Sequence, residues 1–157
     1  EDNYPSILAT MTGCKVVNAG VSGETSAEGL RRLPSVLQAH KPALVILCHG
    51  GNDMLAKLDE GNLRRNLEAM TGAIQANGSD VILLGVPKPG LILRPPGLYR
   101  AVARKYRLLY DGKVLPDILS SPSLKNDYVH PNAAGYRKLA ETVTGLIGTA
   151  PVSSAGG

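Results

Sequence analysis

Short apolar runs alternate with longer amphipathic segments along this chain. Runs at 15–18 (KVVN), 43–48 (ALVILC) and 81–86 (VILLGV) predict strands, and the second run contains no polar alternation. An unbroken apolar strand is typical of a parallel sheet that is covered on both faces. A further short strand is predicted at Lys113–Leu115, followed by a polar loop that continues to His130.

Helical periodicity occupies the intervals between these runs. One helix is predicted from Ser26, with Thr25 or Ser26 as its N-cap, to about Ala39, and another at Glu60–Ala76. Two more are predicted at Gly97–Tyr110 and, because Pro131 suits a helix start, from Asn132 to about Ile147.

Alternating strands and helices predict a fold of the α/β class. Right-handed βαβ crossovers place helices on both faces of a parallel sheet, which gives a three-layer α/β/α sandwich. We expect one domain over residues 1–148 and a disordered tail over residues 149–157.

The amino-acid composition argues against several classes of function, including nucleic-acid binding. The 157 residues include no Phe or Trp, and the net charge of +4 is spread over helical segments. Stacking of nucleobases is therefore not indicated, and we expect no nucleic-acid partner. The two cysteines lack metal-site spacing, and no apolar run approaches the roughly 18 residues of a transmembrane helix.

Three loops carry candidate chemistry: 19–25 (AGVSGET), 49–53 (HGGND) and 126–131 (NDYVHP). Each loop alone has a structural explanation, as a glycine turn, a turn in which Asp53 caps a helix, or a surface histidine. Together they supply an acid, Asp127, a base, His130, and two hydrogen-bond donors for an oxyanion, the backbone of Gly23 and the amide of Asn52. Such a set suits acyl transfer in which the base takes a proton from a hydroxyl group.

The same three loops resemble sequence blocks of the SGNH/GDSL hydrolases. NAGVSGETSAEGLRRLP is similar to the second block, HGGND to the third and NDYVHPNAAGY to the fifth, in the correct order. The resemblance extends to about Gly148 and is nearest to the bacterial arylesterase and thioesterase–lysophospholipase type. It implies a flavodoxin-like sheet, catalytic roles for Asp127 and His130, and oxyanion roles for Gly23 and Asn52.

The first block of that family is not found in the sequence. The family begins with a strand ending in G-D-S-[LI], whose serine is the nucleophile, and EDNYPSIL at residues 1–8 resembles the helix that follows it. The resemblance thus implies an N-terminally incomplete domain, with the serine just upstream of residue 1. Ser22 is a substitute on position alone, but we expect it to serve the turn.

In the family this first strand is central, in the order 2-1-3-4-5. Without it, the strands at 15–18 and 43–48 would face a gap and expose unpaired backbone groups, which is costly. We expect the gap to be filled by a segment outside the given chain, by a second chain or by a swapped element.

The expected function is serine-dependent hydrolysis of a small-molecule carboxylic ester through an acyl-enzyme, as in arylesterases, lipases and thioesterases. No metal or other cofactor is needed. Leu91 and Leu93, in the apolar loop after the third strand, are expected to border the acyl group. The protein would be periplasmic or secreted if a signal peptide preceded the first block, and cytoplasmic otherwise.

Two alternatives remain open at this point. One is an inactive fragment or a binding domain of the same fold, because the nucleophile is not in the sequence. The other is a carbohydrate O-acetyl esterase or O-acyltransferase, which needs the same acid and base.

Overall fold

The computed structural model describes residues 4–149, which form seven α-helices and three strands. In chain order these are α1 (Tyr4–Thr12), α2 (Ser26–His40), β1 (Leu44–Leu47), α3 (Gly51–Leu55), α4 (Glu60–Ala76), β2 (Asp80–Leu84), α5 (Gly97–Tyr106), β3 (Leu109–Asp111), α6 (Val114–Ser120) and α7 (Ala133–Thr149). A 3₁₀ turn, Pro122–Leu124, lies between α6 and α7. The predicted tail at 149–157 lies outside the described residues, except for Thr149, which ends α7.

All three strands are parallel and lie in the order β1-β2-β3. Val45 is opposite Val81 in the first pair, and Leu83 is opposite Tyr110 in the second. Because β2 has a partner on each side, it is the centre of the described sheet, and four of its five residues are buried. The predicted α/β fold with a parallel sheet is confirmed.

The sheet separates two hydrophobic cores. Side chains of β2 alternate between them: Val81 and Leu83 join the core under α2, α4 and α5, whereas Ile82 and Leu84 join the core with α1, α6 and α7. This alternation follows from the two-residue period of a strand. The three-layer arrangement is therefore already encoded in the unbroken apolar run of β2.

Helices α2 and α4 match the predicted segments closely. The apolar positions of α4 at helical spacing are all buried: Leu63, Leu67, Met70 and Ile74. Asp59 accepts a hydrogen bond from the N–H of Asn62 at 2.8 Å and so caps its start. At the start of α2, Glu28 reaches back to the N–H of Thr25 at 2.8 Å, which identifies Thr25 as the N-cap.

The prediction of a strand at 15–18 is wrong. These residues belong to no strand, with Val16 half-buried and Val17 exposed. A strand requires a hydrogen-bonded neighbour, and the described residues provide none beside this segment.

β1 is shorter and less covered than predicted. It spans Leu44–Leu47 rather than 43–48, and only Leu47 is buried, whereas Leu44, Val45 and Ile46 are half-buried. β1 pairs with β2 on one side and with no other strand among the described residues. Its expected burial on both faces is incomplete because it is an edge strand. The unpaired backbone groups of an apolar edge strand can form hydrogen bonds with a further strand.

Between residues 97 and 130 the predicted elements need correction. The helix predicted to reach Tyr110 ends at Tyr106, because Arg107 adopts φ +54° and the apolar residues after it pair with β2 as β3. The strand predicted at Lys113–Leu115 is instead the start of α6, where Asp111 Oδ1 accepts the N–H of Val114 at 2.7 Å. The predicted polar loop thus contains α6 and the 3₁₀ turn.

Two smaller corrections concern the site loops. The HGGND segment is not only a turn, because α3 begins within it at Gly51. The last helix begins at Ala133 rather than Asn132, since the Asn132 side chain accepts the N–H of Gly135 at 3.1 Å and so acts as the N-cap.

Gly50 provides a test of the turn that joins β1 to α3. Its φ is +112°, and a Cβ built there would lie 2.2 Å from the Tyr99 hydroxyl. We expect Gly50→Ala to lower the free energy of unfolding by about 2–4 kcal/mol, through backbone strain and overpacking. Urea denaturation followed by circular dichroism measures the change.

Gly72→Ala is the matched control. Gly72 lies within α4, and nothing lies within 4 Å of a Cβ built on it. Alanine there should leave the stability equal or higher by up to about 1 kcal/mol. Equal stability changes for the two variants would contradict the role given to Gly50.

Candidate active site

Asp127 and His130 form a hydrogen-bonded acid–base pair. His130 Nδ1 lies 2.8 Å from Asp127 Oδ2 and 3.0 Å from Oδ1. With Nδ1 engaged by the carboxylate, Nε2 of the imidazole is the nitrogen positioned to exchange a proton with a reacting hydroxyl. The predicted pairing of these two residues is present in the structure.

The pair is built within one turn. Asp127 Oδ1 also accepts the backbone N–H groups of Val129 and His130, at 2.8 and 2.9 Å. The hydrogen bond from Val129, with that from the His130 side chain next in size, holds the pKa of Asp127 below its ordinary value. Asp127 therefore stays ionised and can stabilise a protonated His130.

The base of this turn is closed by local contacts. The N–H of Asn126 donates to the carbonyl of His130 at 2.8 Å, and the backbones of Lys125 and Pro131 form an isolated antiparallel β-bridge. The side chains themselves are open to solvent, with 65% of His130 and 53% of Asp127 exposed. The backbone of this turn is thus held by local contacts, whereas the side chains of Asp127 and His130 remain exposed to solvent.

Asn52 lies in the first turn of α3, directly after β1. Its Nδ2 donates to the carbonyl of Glu24 at 3.0 Å. That bond uses one of the two N–H groups of the amide and fixes the side chain beside the loop that contains Gly23. The structure therefore brings the two predicted oxyanion residues to the same pair of loops.

Gly23 occupies the turn between Val21 and Glu24, whose backbone groups bond at 3.3 Å. Its φ is +78°, and nothing lies within 4 Å of a Cβ built on it. Glycine is needed there for its backbone conformation and not for close packing. Ser22 precedes it as an exposed residue, and no hydrogen bond joins Ser22 to His130 in the described part of the chain.

Asp53, in α3, binds the first residue of α2, next to the loop that contains Gly23. Its buried carboxylate accepts the N–H of Ser26 at 2.8 Å and the Ser26 hydroxyl at 2.5 Å. The Asn66 amide donates to the same hydroxyl at 2.9 Å. Asp53 thus caps a helix, as the sequence allows, but the helix is α2, more than twenty residues earlier.

Glu24 is the centre of a second contact set that the sequence analysis did not identify. Its carboxylate is 7% exposed and accepts Arg32 Nε at 2.7 Å and Arg32 Nη2 at 2.9 Å. His49 Nε2 lies 3.4 Å from the same carboxylate. The Arg32 guanidinium lowers the pKa of Glu24 below its ordinary value, and the Arg32 pKa is raised in return.

Gly29 makes room for this contact set. A Cβ at Gly29 would lie 2.5 Å from His49 Nε2, so any side chain there would displace the imidazole from Glu24. The eight-residue separation of Glu24 from Arg32 matches no helix or strand neighbour rule. Nothing in the local sequence pattern could have indicated the pairing.

The two predicted substrate residues lie in the loop between β2 and α5. Leu91 is fully exposed, at 106%, and Leu93 is half-buried. A surface depression of about 410 Å³ adjoins this loop, and its lining includes Ile92 and Arg94 rather than the two leucines. Lys88 and Glu60, which also line it, form an ion pair at 2.6 Å.

No hydrogen bond or ion pair connects the acid–base turn to Gly23 or Asn52 within residues 4–149. In the same residues, no group of three or more His, Cys, Asp and Glu side chains is arranged to hold a metal ion. No helix there is both long enough and apolar enough to cross a membrane.

Two curated relatives resemble this chain over most of its length. The chain is 36% identical over 139 residues to esterase TesA of Pseudomonas aeruginosa, covering 82% of this chain and 67% of the relative. It is 31% identical over 137 residues to thioesterase 1/protease 1/lysophospholipase L1 of Escherichia coli, covering 82% of this chain and 66% of the relative. The chain thus spans about two thirds of the length of these curated relatives.

Solved structures agree with the fold. A crystal structure of TesA superimposes with a TM-score of 0.82 at 31% identity, covering 93% of this chain and 87% of that one. The SGNH-hydrolase family esterase AlinE4 superimposes with a TM-score of 0.71 at 30% identity, covering 92% and 84%. The model of the GDSL-like lipase/acylhydrolase family matches residues 1–138, a span that contains all three site loops. This chain therefore belongs to the GDSL-like lipase/acylhydrolase family.

Proposed function

We propose that this domain hydrolyses carboxylic esters through an acyl-enzyme. The nucleophile is a serine that reaches His130 on a strand paired with the edge of β1 that has no neighbour among residues 4–149. The observation that carries the proposal is the 2.8 Å contact between His130 Nδ1 and Asp127 Oδ2. That contact leaves Nε2 available as a base, and family membership adds that esterases are among the relatives.

The proposed reaction has two steps, acylation of the serine and hydrolysis of the acyl-enzyme, and the same residues act in both. The serine Oγ attacks the ester carbonyl while His130 Nε2 takes its proton, and Asp127 stabilises the imidazolium. The Gly23 backbone and the second N–H of Asn52 donate to the oxyanion. The C–O bond to the leaving group breaks as His130 returns the proton to it, and water then hydrolyses the acyl-enzyme by the same path.

The proposed strand accounts for the state of β1. All four of its residues are apolar and three of them are only half-buried, although its partner β2 is almost fully buried. A strand added there would satisfy the unpaired backbone groups of β1 and cover its side chains. It would also end at the same edge of the sheet as β1, where Asn52 lies, because carboxyl ends of parallel strands align.

The proposal predicts that esterase activity follows the added strand. Extending the chain at its amino end with a short apolar strand that ends in Gly-Asp-Ser-Leu should produce hydrolysis of p-nitrophenyl acetate. The same extension with alanine for that serine is the matched control and should be inactive. In the active form, His130→Ala should lower kcat by about 10²–10⁴-fold through loss of the general base.

Ser22→Ala separates this proposal from its rival within the chain. The active extended form should keep its rate when Ser22 is replaced. If the unextended chain hydrolyses the ester, and Ser22→Ala abolishes that rate with folding intact, the external serine is contradicted. If the extension pairs with β1 by NMR but no hydrolysis appears, a binding domain is favoured over an esterase.

The choice of acyl group provides a second prediction. We propose that the loop from Lys88 to Pro96 borders the acyl chain, because it follows the carboxyl end of β2 and presents Leu91 and Leu93. Leu93→Ala, and more weakly Leu91→Ala, should change the ratio of kcat/KM for octanoate and acetate esters by up to roughly tenfold.

Val36→Ala, at a half-buried apolar position on α2, serves as the control for this experiment. It should leave the chain-length ratio unchanged. An unaltered ratio in both loop variants would remove the loop from the substrate site. Assaying the products with an added acceptor alcohol shows whether acyl transfer competes with hydrolysis.

A further inference from the structure

Arg32 contacts the loop containing Gly23 at two separate points. Its Nη2 donates to the carbonyl of Ala19 at 2.8 Å, at the start of the loop, and its fork binds the carboxylate of Glu24 at the end. A planar guanidinium with several fixed donors can bind two such acceptors at once, which the single ammonium of lysine cannot reproduce.

Between these two points the loop has few other contacts. The N–H of Gly20 bonds to the Asn18 side chain at 3.1 Å, and the N–H of Glu24 bonds to Val21 at 3.3 Å. Val21 is about half exposed, and Ser22 and Gly23 are also exposed. Packing therefore contributes little to holding this segment, and its two glycines favour conformational freedom.

The Glu24 side chain is only 7% exposed, so its carboxylate depends on a partner, although Arg32 itself is 35% exposed. Removing Arg32 leaves a shielded charge without this partner, which destabilises the arrangement. Without Arg32, the remaining ion-pair partner of Glu24 in the described residues is the imidazole of His49, whose Nε2 lies 3.4 Å away and which carries a charge only when protonated. Solvation would then favour movement of the Glu24 carboxylate toward water. The backbone carbonyl of Glu24, which accepts the hydrogen bond from Asn52, would move with it.

We propose that Arg32 is a positioning residue of the oxyanion hole, which holds Gly23 and Asn52 in place by binding the loop at Ala19 and Glu24. Arg32 touches no reacting atom and acts through these two donors. The proposal rests on the ester hydrolase function proposed above, but the rigidity of the loop can be measured without any activity.

The test compares Arg32→Ala and Arg32→Lys with Arg31→Ala. Arg31 is the exposed neighbour on α2 and provides a control with the same loss of charge. The order parameter of the Gly23 amide is measured by ¹⁵N relaxation. It should fall from about 0.85, the value of a rigid backbone, to below about 0.6 in Arg32→Ala. Arg32→Lys should be intermediate, and Arg31→Ala should match the unchanged protein.

Kinetics in the esterase-active form provide the second readout. Arg32→Ala should lower kcat by about 10²-fold, as expected for donors misplaced by an ångström, with KM changed less than about twofold. Added guanidinium should restore part of kcat, whereas it should not help Arg31→Ala. If Arg32→Ala does not fold, Glu24→Gln carries the test, because it keeps the size of the side chain and removes its charge.

The outcomes separate the two proposals. A rigid Gly23 amide in folded Arg32→Ala, or in Glu24→Gln in its place, overturns the positioning role. Loss of rigidity in a protein that shows no ester hydrolysis upholds the role of Arg32 in the loop and contradicts the function proposed for the site. Loss of both rigidity and kcat, with partial guanidinium rescue, supports both.

Discussion

The parallel pairing of β1 with β2 determines the arrangement of the rest of the molecule. Through β2 it separates the two cores, and through β1 it places α3 and Asn52 beside the loop of Gly23. The same pairing leaves the other edge of β1 without a strand among the described residues. The candidate site therefore lies next to an edge of the described sheet whose backbone groups have no strand partner there.

Where side-chain periodicity alone determines an element, the sequence predicted it correctly. The helices α2 and α4 each bury one regular face, and the strand β2 is buried on both faces. Each was found near its expected bounds. The predictions were wrong where the presence or absence of a neighbouring strand determines whether a segment forms a strand. Residues 15–18 have strand character without a neighbouring strand, and residues 109–111 became a strand because β2 was available beside them.

The same distinction applies to the candidate site. The contact between Asp127 and His130 could be predicted because three residues of spacing suffice to form it. The contacts of Asp53 with Ser26 and of Glu24 with Arg32 and His49 could not be predicted, since they join residues that only the folded chain brings together. The glycines at 29 and 50 are explained by the side chains that approach them, which the sequence does not reveal.

The two halves of the site differ in the chain entropy that each must overcome. Asp127 and His130 are three residues apart, so their contact costs little more than the turn itself. The candidate oxyanion side depends on the contacts of Asp53 with Ser26 and of Asn52 with Glu24, over separations of 27 and 28 residues. Its geometry is therefore a property of the cooperative fold, whereas the acid–base turn is a local structure that a partly unfolded chain can also form.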